Sequence, residues 1–92
     1  MLGMNYFKKL ERVHKAVANR RRLAMVSHLK EKKEVSVGKM ASHIKLSFKS
    51  TSRHLAVLLS ADLVEKNQKS VEVFYRLANP IHPIILETLR HL

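Results

Sequence analysis

The chain has no cysteine, and its 92 residues include only two glycines and two prolines. The absence of cysteine excludes disulfide bonds, thiolate metal sites and thiol redox switches. So little glycine and proline favours a chain made mostly of regular secondary structure. Aromatic residues make up only 5% of the sequence, so aliphatic side chains have to fill the core. Ninety-two residues are enough for one small domain, and we expect residues 1–92 to form it.

Long apolar runs are also missing from the sequence. No stretch approaches the roughly 20 apolar residues of a membrane-spanning helix. Lys8, Lys9 and Glu11 interrupt the apolar N-terminal stretch, which argues against a secretory signal. The hydrophobic share of 46% is too high for an intrinsically disordered chain. We therefore expect a folded, cytoplasmic protein that contacts no membrane.

Acidic residues are scarce, and this is the strongest signal in the composition. Seven Asp and Glu stand against eighteen Lys and Arg, which gives a formal net charge of +11. Fourteen of the eighteen cations lie between Lys8 and Arg53, and no acid occurs between Glu34 and Asp62. Cations gathered in one part of a compact domain favour a polyanionic partner, above all nucleic acid. The alternative explanation is a basic protein whose charge serves solubility alone.

Apolar residues spaced three or four apart predict four helices in the first two thirds of the chain. The first covers residues 5–17. Asn19, Ser36 and Ser47 are predicted to cap the next three, because their side chains can accept hydrogen bonds from the first turn of a helix. The run KEKKE at residues 30–34 is predicted to be a charged connection between the second and third helices.

The spacing changes to period two near the C-terminal third of the chain. Residues 71–77 alternate and predict a strand, with 63–66 as its pairing strand and 67–70 as the turn. Pro80 and Pro83 are predicted to open a last helix. The predicted fold is therefore mostly α, in the α+β class, with the order α-α-α-α-β-β-α.

The third and fourth predicted helices are separated by about two residues, Lys45 and Leu46. A tight connection between two short helices is typical of the helix-turn-helix, whose second helix enters the major groove of DNA. That helix carries donors for phosphates and base edges on its polar face: Lys49, Ser50, Ser52, Arg53 and His54. A solvated helix face is the alternative interpretation, although solvated faces usually mix charges of both signs.

Two features near these helices depart from the usual pattern. Phe48 stands in the first turn of the fourth helix, where it either packs against Leu46 or Ile44 or contacts a thymine methyl group or a sugar. Residues 20–22 are three arginines at the start of the second helix, where the helix dipole disfavours cations by some tenths of a kcal/mol each. A compensating anion is expected, and for Arg22 a structural salt bridge is predicted.

Three stretches of the sequence together resemble the ArsR/SmtB family of winged helix-turn-helix repressors. They are KAVANRRRLAMVSHL, SVGKMASHIKLSFKSTSRHLAVLLSADLV and VFYRL. The family pattern A-L-A-[DN]-x-x-R-[LI] corresponds to residues 16–23, S-x-H-L-x-x-L to 52–58, and the G-L-V and Y-x-L of the wing to 62–64 and 75–77. Asp62 and Ser70 replace two family glycines. Asp tolerates a left-handed backbone better than most residues, so the fold is expected to survive.

The resemblance implies a homodimeric repressor that binds an inverted repeat in double-stranded operator DNA. It implies DNA contacts from the start of the third helix, from the fourth helix and from the wing. With the donors named above, the candidate DNA-binding residues are Ser36, Val37, Phe48, Lys49, Ser50, Ser52, Arg53, His54, Gln68 and Lys69. The first and last helices are expected to form the dimer interface through Tyr6, Phe7, Leu10, Val13, Ile81, Ile84, Ile85 and Leu89.

The metal sites of the resembled family have no full counterpart in this chain. Metal-sensing members carry E-L-C-V-C-D-L, whereas residues 34–40 read EVSVGKM, without the cysteines or the Asp. Others use an Asp-x-His in the last helix, where residues 79–81 read NPI. His82 and His91 lie nine residues apart, on opposite helix faces, and cannot share a metal within one chain. We expect no metal or other cofactor, although ligation across a dimer by His82, Glu87 or His91 stays open and the inducing ligand is unknown.

Enzymatic activity is not expected from this sequence. The seven acids are scattered, and no glycine-rich phosphate loop is present. Ser52 and His54 are two residues apart on a helix and therefore point away from each other. The alternative to a DNA-binding regulator is a basic winged-helix module that binds RNA or an acidic protein.

Overall fold

Residues 2–92, which the computed structural model describes, form five helices and three strands. Their order and bounds are α1 (Met4–Val17), α2 (Arg20–Lys32), β1 (Glu34–Ser36), α3 (Val37–Ile44), α4 (Phe48–Ser60), β2 (Val64–Lys69), β3 (Glu72–Leu77) and α5 (Pro83–Leu89). All five predicted helices and both predicted strands are present in the predicted order. The structure adds β1, a strand that the sequence pattern did not predict.

Three of the helices begin at the predicted caps. The side chains of Asn19, Ser36 and Ser47 accept hydrogen bonds from the second or third backbone N–H of α2, α3 and α4, at 3.0–3.1 Å. These N–H groups have no partner inside the helix, so each cap removes an unsatisfied donor.

The bounds of two helices differ from the prediction. The connection predicted at residues 30–34 is wrong, because α2 continues through Lys32 and ends at Lys33, whose φ is 70°. Lys and Glu have good helix propensity, so a run of them need not end a helix. Of the two prolines predicted to open the last helix, Pro83 occupies its first turn, and His82 is the cap. Pro80 lies in the preceding loop.

The turn predicted for the wing, which is the hairpin formed by β2 and β3, is also misplaced. Residues 67–69 are not turn but strand, since β2 runs to Lys69, which pairs with Glu72 of β3. The turn therefore consists of Ser70 and Val71, and Ser70 takes a left-handed φ of 60°. The wing is longer than predicted, and Val71 at its tip is 91% exposed.

β1 forms a sheet with the wing in the order β1-β3-β2, with all pairs antiparallel. Val35 of β1 lies opposite Tyr75, and Ser36 lies opposite Phe74. A strand of three residues is too short to show a period in the sequence. Because Ser36 both ends β1 and caps α3, the sheet fixes where the helix-turn-helix begins.

A single aliphatic core joins the helices to the sheet, as the composition predicts. Its largest fully buried hydrophobic side chains are Met25, Leu29, Met40, Leu55, Leu58, Leu63 and Ile85. Tyr75, whose pKa is raised by burial, is the aromatic residue among the buried side chains of residues 2–92. Within the same residues, every helix is too short or too polar to cross a membrane.

Candidate nucleic-acid interface

α3 and α4 form a helix-turn-helix around a short left-handed turn. Lys45 follows the last residue of α3 with φ 58° and ψ 50°, and its N–H donates to the carbonyl of Ala41. A left-handed residue after a helix redirects the chain, so α4 leaves at an angle to α3. Thr51 is fully buried, and its hydroxyl donates to the carbonyl of Ser47 at 2.8 Å. This bond and the buried Leu55 and Leu58 hold α4 against the core with one face turned outward.

The outer face of α4 has the composition that the sequence predicts. A shallow groove of about 380 Å³ on this face is lined by Phe48, Lys49, Ser52, Arg53 and Ala56. Phe48 is 62% exposed, so it is not buried against Leu46 or Ile44, and its ring is available to a ligand. Ser50 lies beside the groove and is half-buried. The helix contains no acid, so nothing on this face would repel a phosphate.

The start of α3 presents different groups from those predicted. The side chains of Ser36 and Val37 are only 2% and 3% exposed, so neither can reach a ligand. The Ser36 hydroxyl is occupied by the backbone N–H of Lys39. Ser36 is drawn inward because β1 pairs with β3 at this point, a contact that the sequence did not reveal, and Val37 lies on the buried face of α3. The groups left at the surface are Gly38 and the side chain of Lys39, which sequence reasoning missed although a lysine just after a cap was a visible signal.

On the wing, Gln68 is exposed near the turn, whereas Lys69 already contacts other side chains of the protein. The Gln68 amide donates to the carbonyl of Ser70 at 3.4 Å. The Lys69 ammonium pairs with Glu34 at the start of β1 and lies 4.9 Å from the centre of the Phe74 ring. Any phosphate that Lys69 binds would therefore compete with Glu34 for the same ammonium group.

The prediction that Arg22 forms a salt bridge is wrong. The guanidinium donates to two backbone carbonyls at the end of α1, from Nε to Ala16 at 2.5 Å and from Nη2 to Lys15 at 3.2 Å. The C-terminal end of a helix carries partial negative charge, so this cation is favoured there although the start of its own helix disfavours it. The third donor, Nη1, lies 3.1 Å from Nδ1 of His54. His54 is thus half-buried beside α1 and α2, at the edge of the outer face of α4.

Two further histidines are brought together by the fold. The imidazoles of His28 on α2 and His43 on α3 stack with their centres 3.6 Å apart. Burial, and then the nearby His43, lowers the pKa of His28. Neither residue was singled out from the sequence, because residues 15 positions apart meet only through tertiary packing.

The candidate metal ligands have other partners in the structure. His82 accepts a hydrogen bond at Nδ1 from the backbone N–H of Ile84, as the cap of α5. His91 lies 3.3 Å from Glu87. Across residues 2–92, no three His, Asp or Glu side chains are grouped in a way that could hold a metal ion.

A second surface, formed by α1 and α5, is mostly apolar but includes Lys9 and His82. The predicted interface residues Tyr6 and Phe7 are about half exposed on α1. A groove of about 420 Å³ between α1 and α5 includes the predicted Leu10, Val13 and Ile84. Val13 and Ile85 are 5% and 0% exposed, so both pack mainly inside the single chain, and Val13 reaches only the floor of the groove. Ile81 and Leu89 are partly buried against the same core. Sequence reasoning missed other exposed apolar side chains in or next to α1 and α5: Leu2, Met4, Leu86 and Leu92.

The sequence model of the bacterial regulatory protein, arsR family, matches residues 19–66, more than half of the chain. The matched region runs from the cap of α2 into β2 and includes the whole helix-turn-helix. The chain belongs to the ArsR family. The resemblance noted from the sequence is therefore confirmed. The protein is a transcriptional regulator with a winged helix-turn-helix DNA-binding domain, in a family of regulators that are not enzymes.

Similar proteins include other ArsR-family regulators. The transcriptional activator HlyU of Vibrio cholerae is 37% identical over 78 residues, which cover 85% of this chain and 71% of that protein. The structure of HlyU from Vibrio cholerae has a TM-score of 0.81 at 33% identity, covering 94% of each chain. A homodimeric winged helix-turn-helix DNA-binding domain from Mycobacterium bovis has a TM-score of 0.80 at 26% identity, covering 99% of this chain and 85% of that chain. The alternative of a module for RNA or an acidic protein is not favoured by these similarities.

Proposed function

We propose that this ArsR-family protein acts as a homodimeric repressor that binds an inverted repeat in operator DNA, with α4 of each subunit in the major groove. The observation that carries the proposal is the outer face of α4, where exposed Lys49 and Arg53 flank Phe48 and Ser52 and no acid is present. A net charge of +11 supports the choice of a polyanion. We expect neither an enzymatic activity nor a cofactor.

In the proposed complex the residues of α4 divide into two roles. Lys49 and Arg53 donate to base edges, and Phe48 contacts a thymine methyl group. Arg53 is exposed and, within residues 2–92, forms no salt bridge, so its guanidinium is available for two hydrogen bonds to a guanine. Ser50, Ser52 and His54 donate to phosphates, which fix the position of the helix but carry no sequence information.

The proposed contacts outside α4 are made with the phosphate backbone. At the start of α3 the exposed backbone of Gly38 and the side chain of Lys39 would approach one phosphate, which a helix N-terminus favours. On the wing, Gln68 and Lys69 would follow the backbone of the neighbouring groove.

The dimer is supported by the apolar surface on α1 and α5. Exposed Tyr6, Phe7 and Leu86 lie on the two helices proposed for the interface. Large apolar side chains grouped on a surface mark a site of association. The related Mycobacterium bovis domain is described as homodimeric. In a dimer of this kind the two half-sites lie about one helical turn apart, roughly 10 base pairs.

The proposal is tested by selecting duplexes that the purified protein binds from random double-stranded DNA. We expect a motif with two-fold symmetry. We also expect affinity to fall by about 10³–10⁵ between 50 and 200 mM salt, because two subunits together neutralise about 6–10 phosphates. A motif without a dyad, or affinity that does not change with salt, would contradict the proposal. Equal affinity for structured RNA would favour the alternative module.

Repression is then tested by placing the selected motif in a reporter promoter. A bound protein can block a promoter simply by occupying the operator, so we expect expression to fall when the protein is produced. The related HlyU of Vibrio cholerae is named a transcriptional activator, so a rise in expression is the outcome that would replace repression with activation.

Single substitutions separate base reading from phosphate binding. We expect Arg53→Ala to cost about 1–3 kcal/mol and to relax the sequence preference at one position of each half-site. Lys39→Ala should weaken binding to all sequences alike and reduce the salt slope by about one unit. Lys30→Ala, an exposed lysine on α2 outside the proposed contacts, is the control and should leave both quantities unchanged. An unchanged sequence preference in Arg53→Ala would exclude this base contact.

A further inference from the structure

The side chain of Arg22 contacts two helices other than its own. It belongs to the first turn of α2, donates to the carbonyls of Lys15 and Ala16 at the end of α1, and reaches Nδ1 of His54 on α4 at 3.1 Å. A guanidinium is planar and presents its donors in a fixed fork, so three such partners fix its orientation. Arg20 and Arg21, its neighbours in the sequence, are exposed at the surface.

This contact determines the chemical form of His54. A guanidinium has five N–H donors, no acceptor, and does not lose its proton in proteins. The Nδ1 atom 3.1 Å from Nη1 must therefore be the acceptor, which leaves the only ring proton on Nε2. The ring is neutral and offers a single donor. Burial, followed by the charges of Arg22 and Arg21, lowers the pKa of His54, which agrees with a neutral ring.

We propose that Arg22 is a positioning residue of the DNA-binding site, which fixes α4 to the end of α1 and holds His54 in the Nε2–H form as a donor to a DNA phosphate. The inference rests on the proposed function and names a residue that need not contact DNA itself. It also accounts for an arginine at a helix start where the helix dipole disfavours it.

The contacts of Arg22 matter because the two helices that they join, α1 and α4, have different roles in the proposed dimer on DNA. α1 carries Tyr6 and Phe7 of the proposed dimer interface, whereas α4 carries the residues proposed to read bases. Two recognition helices fit an inverted repeat only at a fixed separation of about 34 Å. The orientation of α4 relative to α1 therefore determines whether both helices enter the groove, and Arg22 joins these two elements directly.

The tautomer is tested on the free protein by nitrogen-15 NMR of the histidine rings at neutral pH. We expect His54 in the wild type to carry its proton on Nε2. In Arg22→Lys the charge remains but the planar fork is lost, so both tautomers should become populated. Arg21→Lys is the matched control and should keep the wild-type signal. A wild-type ring protonated on Nδ1, or an Nε2–H ring that persists in Arg22→Lys, would overturn the assignment.

The consequence for DNA is tested with the selected operator and the same variants. We expect Arg22→Lys to lose about tenfold in affinity while it remains dimeric, and Arg21→Lys to stay within about twofold of the wild type. An Arg22→Lys variant that binds as well as the wild type would contradict the positioning role.

A substitution of His54 gives a test that does not depend on how well Arg22→Lys folds. In His54→Asn the amide oxygen takes the place of Nδ1 as acceptor, so the contact with Arg22 is kept and the Nε2–H donor is lost. We expect unchanged thermal stability and an operator affinity lower by about 3–10-fold, the effect of one neutral hydrogen bond. Full affinity would show that the ring does not bind phosphate. If the wild type selects no duplex at all, the proposed function fails, while the NMR result on the free protein still decides the tautomer.

Discussion

His28 and His54 are two residues whose protonation the fold opposes. For His28 the causes are burial, the neighbouring His43 and, more weakly, Lys32, while Glu31 acts in the opposite direction. For His54 they are burial and then Arg22 and Arg21. In both residues the pKa lies below the ordinary value of 6.5. A proton that binds more weakly to the folded than to the unfolded chain makes stability depend on pH.

The sign of this dependence follows from the lowered values. Well above pH 6.5 both histidines are neutral in either state, and the full stability is present. As the pH falls through 6.5 towards the lowered folded pKa, the unfolded chain binds protons first, so the free energy of unfolding decreases. Urea unfolding at about pH 7.5 and about pH 5.5 measures the difference. We expect the decrease to be smaller in His54→Asn and in His28→Asn. His14→Asn, an exposed histidine on α1, is the control, and an equal decrease in all four proteins would contradict the prediction.

The helix-turn-helix depends on where each element begins. α4 begins after Ser47, whose hydroxyl accepts from the backbone N–H of Ser50 at 3.0 Å. At the other end, the hydroxyl of Ser60 donates to the carbonyl of Val57, which remains at the surface. Only the first of these bonds satisfies a donor that the helix itself leaves without a partner.

Removing the cap should therefore cost more than removing the other hydroxyl. We expect Ser47→Ala to lower the free energy of unfolding by about 1 kcal/mol. In a domain of this size that corresponds to a melting temperature lower by about 4–8 °C. Ser60→Ala should change the free energy by less than about 0.5 kcal/mol. Thermal unfolding followed by circular dichroism compares the two, and equal losses would show that the Ser47 hydroxyl does not act as a cap.

The elements that could be predicted from the sequence are those specified by local interactions. Asn19, Ser36 and Ser47 cap their helices through groups two or three residues away, so their roles are visible in the sequence. The outer face of α4 was predictable for the same reason, since helical periodicity alone determines which side is buried. β1 was not, because its three residues become a strand only by pairing with β3.

Within the candidate site the same distinction separates correct from incorrect expectations. Val37 was expected to approach a phosphate, but the whole residue is buried at the start of α3, beside the sheet. Arg22 was expected to pair with an acid, but backbone carbonyls take that place. Carbonyl groups have no signature in a sequence, and the end of α1 meets Arg22 only in the folded chain.

At the scale of the whole molecule, the positive charge disfavours association of two chains, whereas the apolar surface favours it. Each chain carries a formal net charge of +11, so two chains repel one another. The apolar side chains on α1 and α5 have to overcome this repulsion if the proposed dimer is to form. Binding to DNA would relieve the repulsion, because the phosphates neutralise the cations of both subunits.

A charge placed in the apolar surface should therefore separate the subunits. We expect Phe7→Lys to be monomeric at micromolar concentration by light scattering, because it removes an aromatic contact and buries a cation without a partner. Its operator affinity should fall by more than about 100-fold, since a single subunit engages only one half-site. Val71→Lys makes a similar exchange at the exposed tip of the wing, and should remain a dimer. A dimeric Phe7→Lys protein would place the interface elsewhere.

The order β1-β3-β2 leaves β1 and β2 as the outer strands of the sheet in the single chain. An outer strand with free backbone groups can pair with a strand of another molecule and so start aggregation. β1 offers only three residues, and β2 carries Glu65, Lys66 and Lys69. Short length and charge are two means by which proteins prevent such pairing. The polar side chains of the wing therefore also keep a basic protein from joining its sheets edge to edge when no DNA is bound.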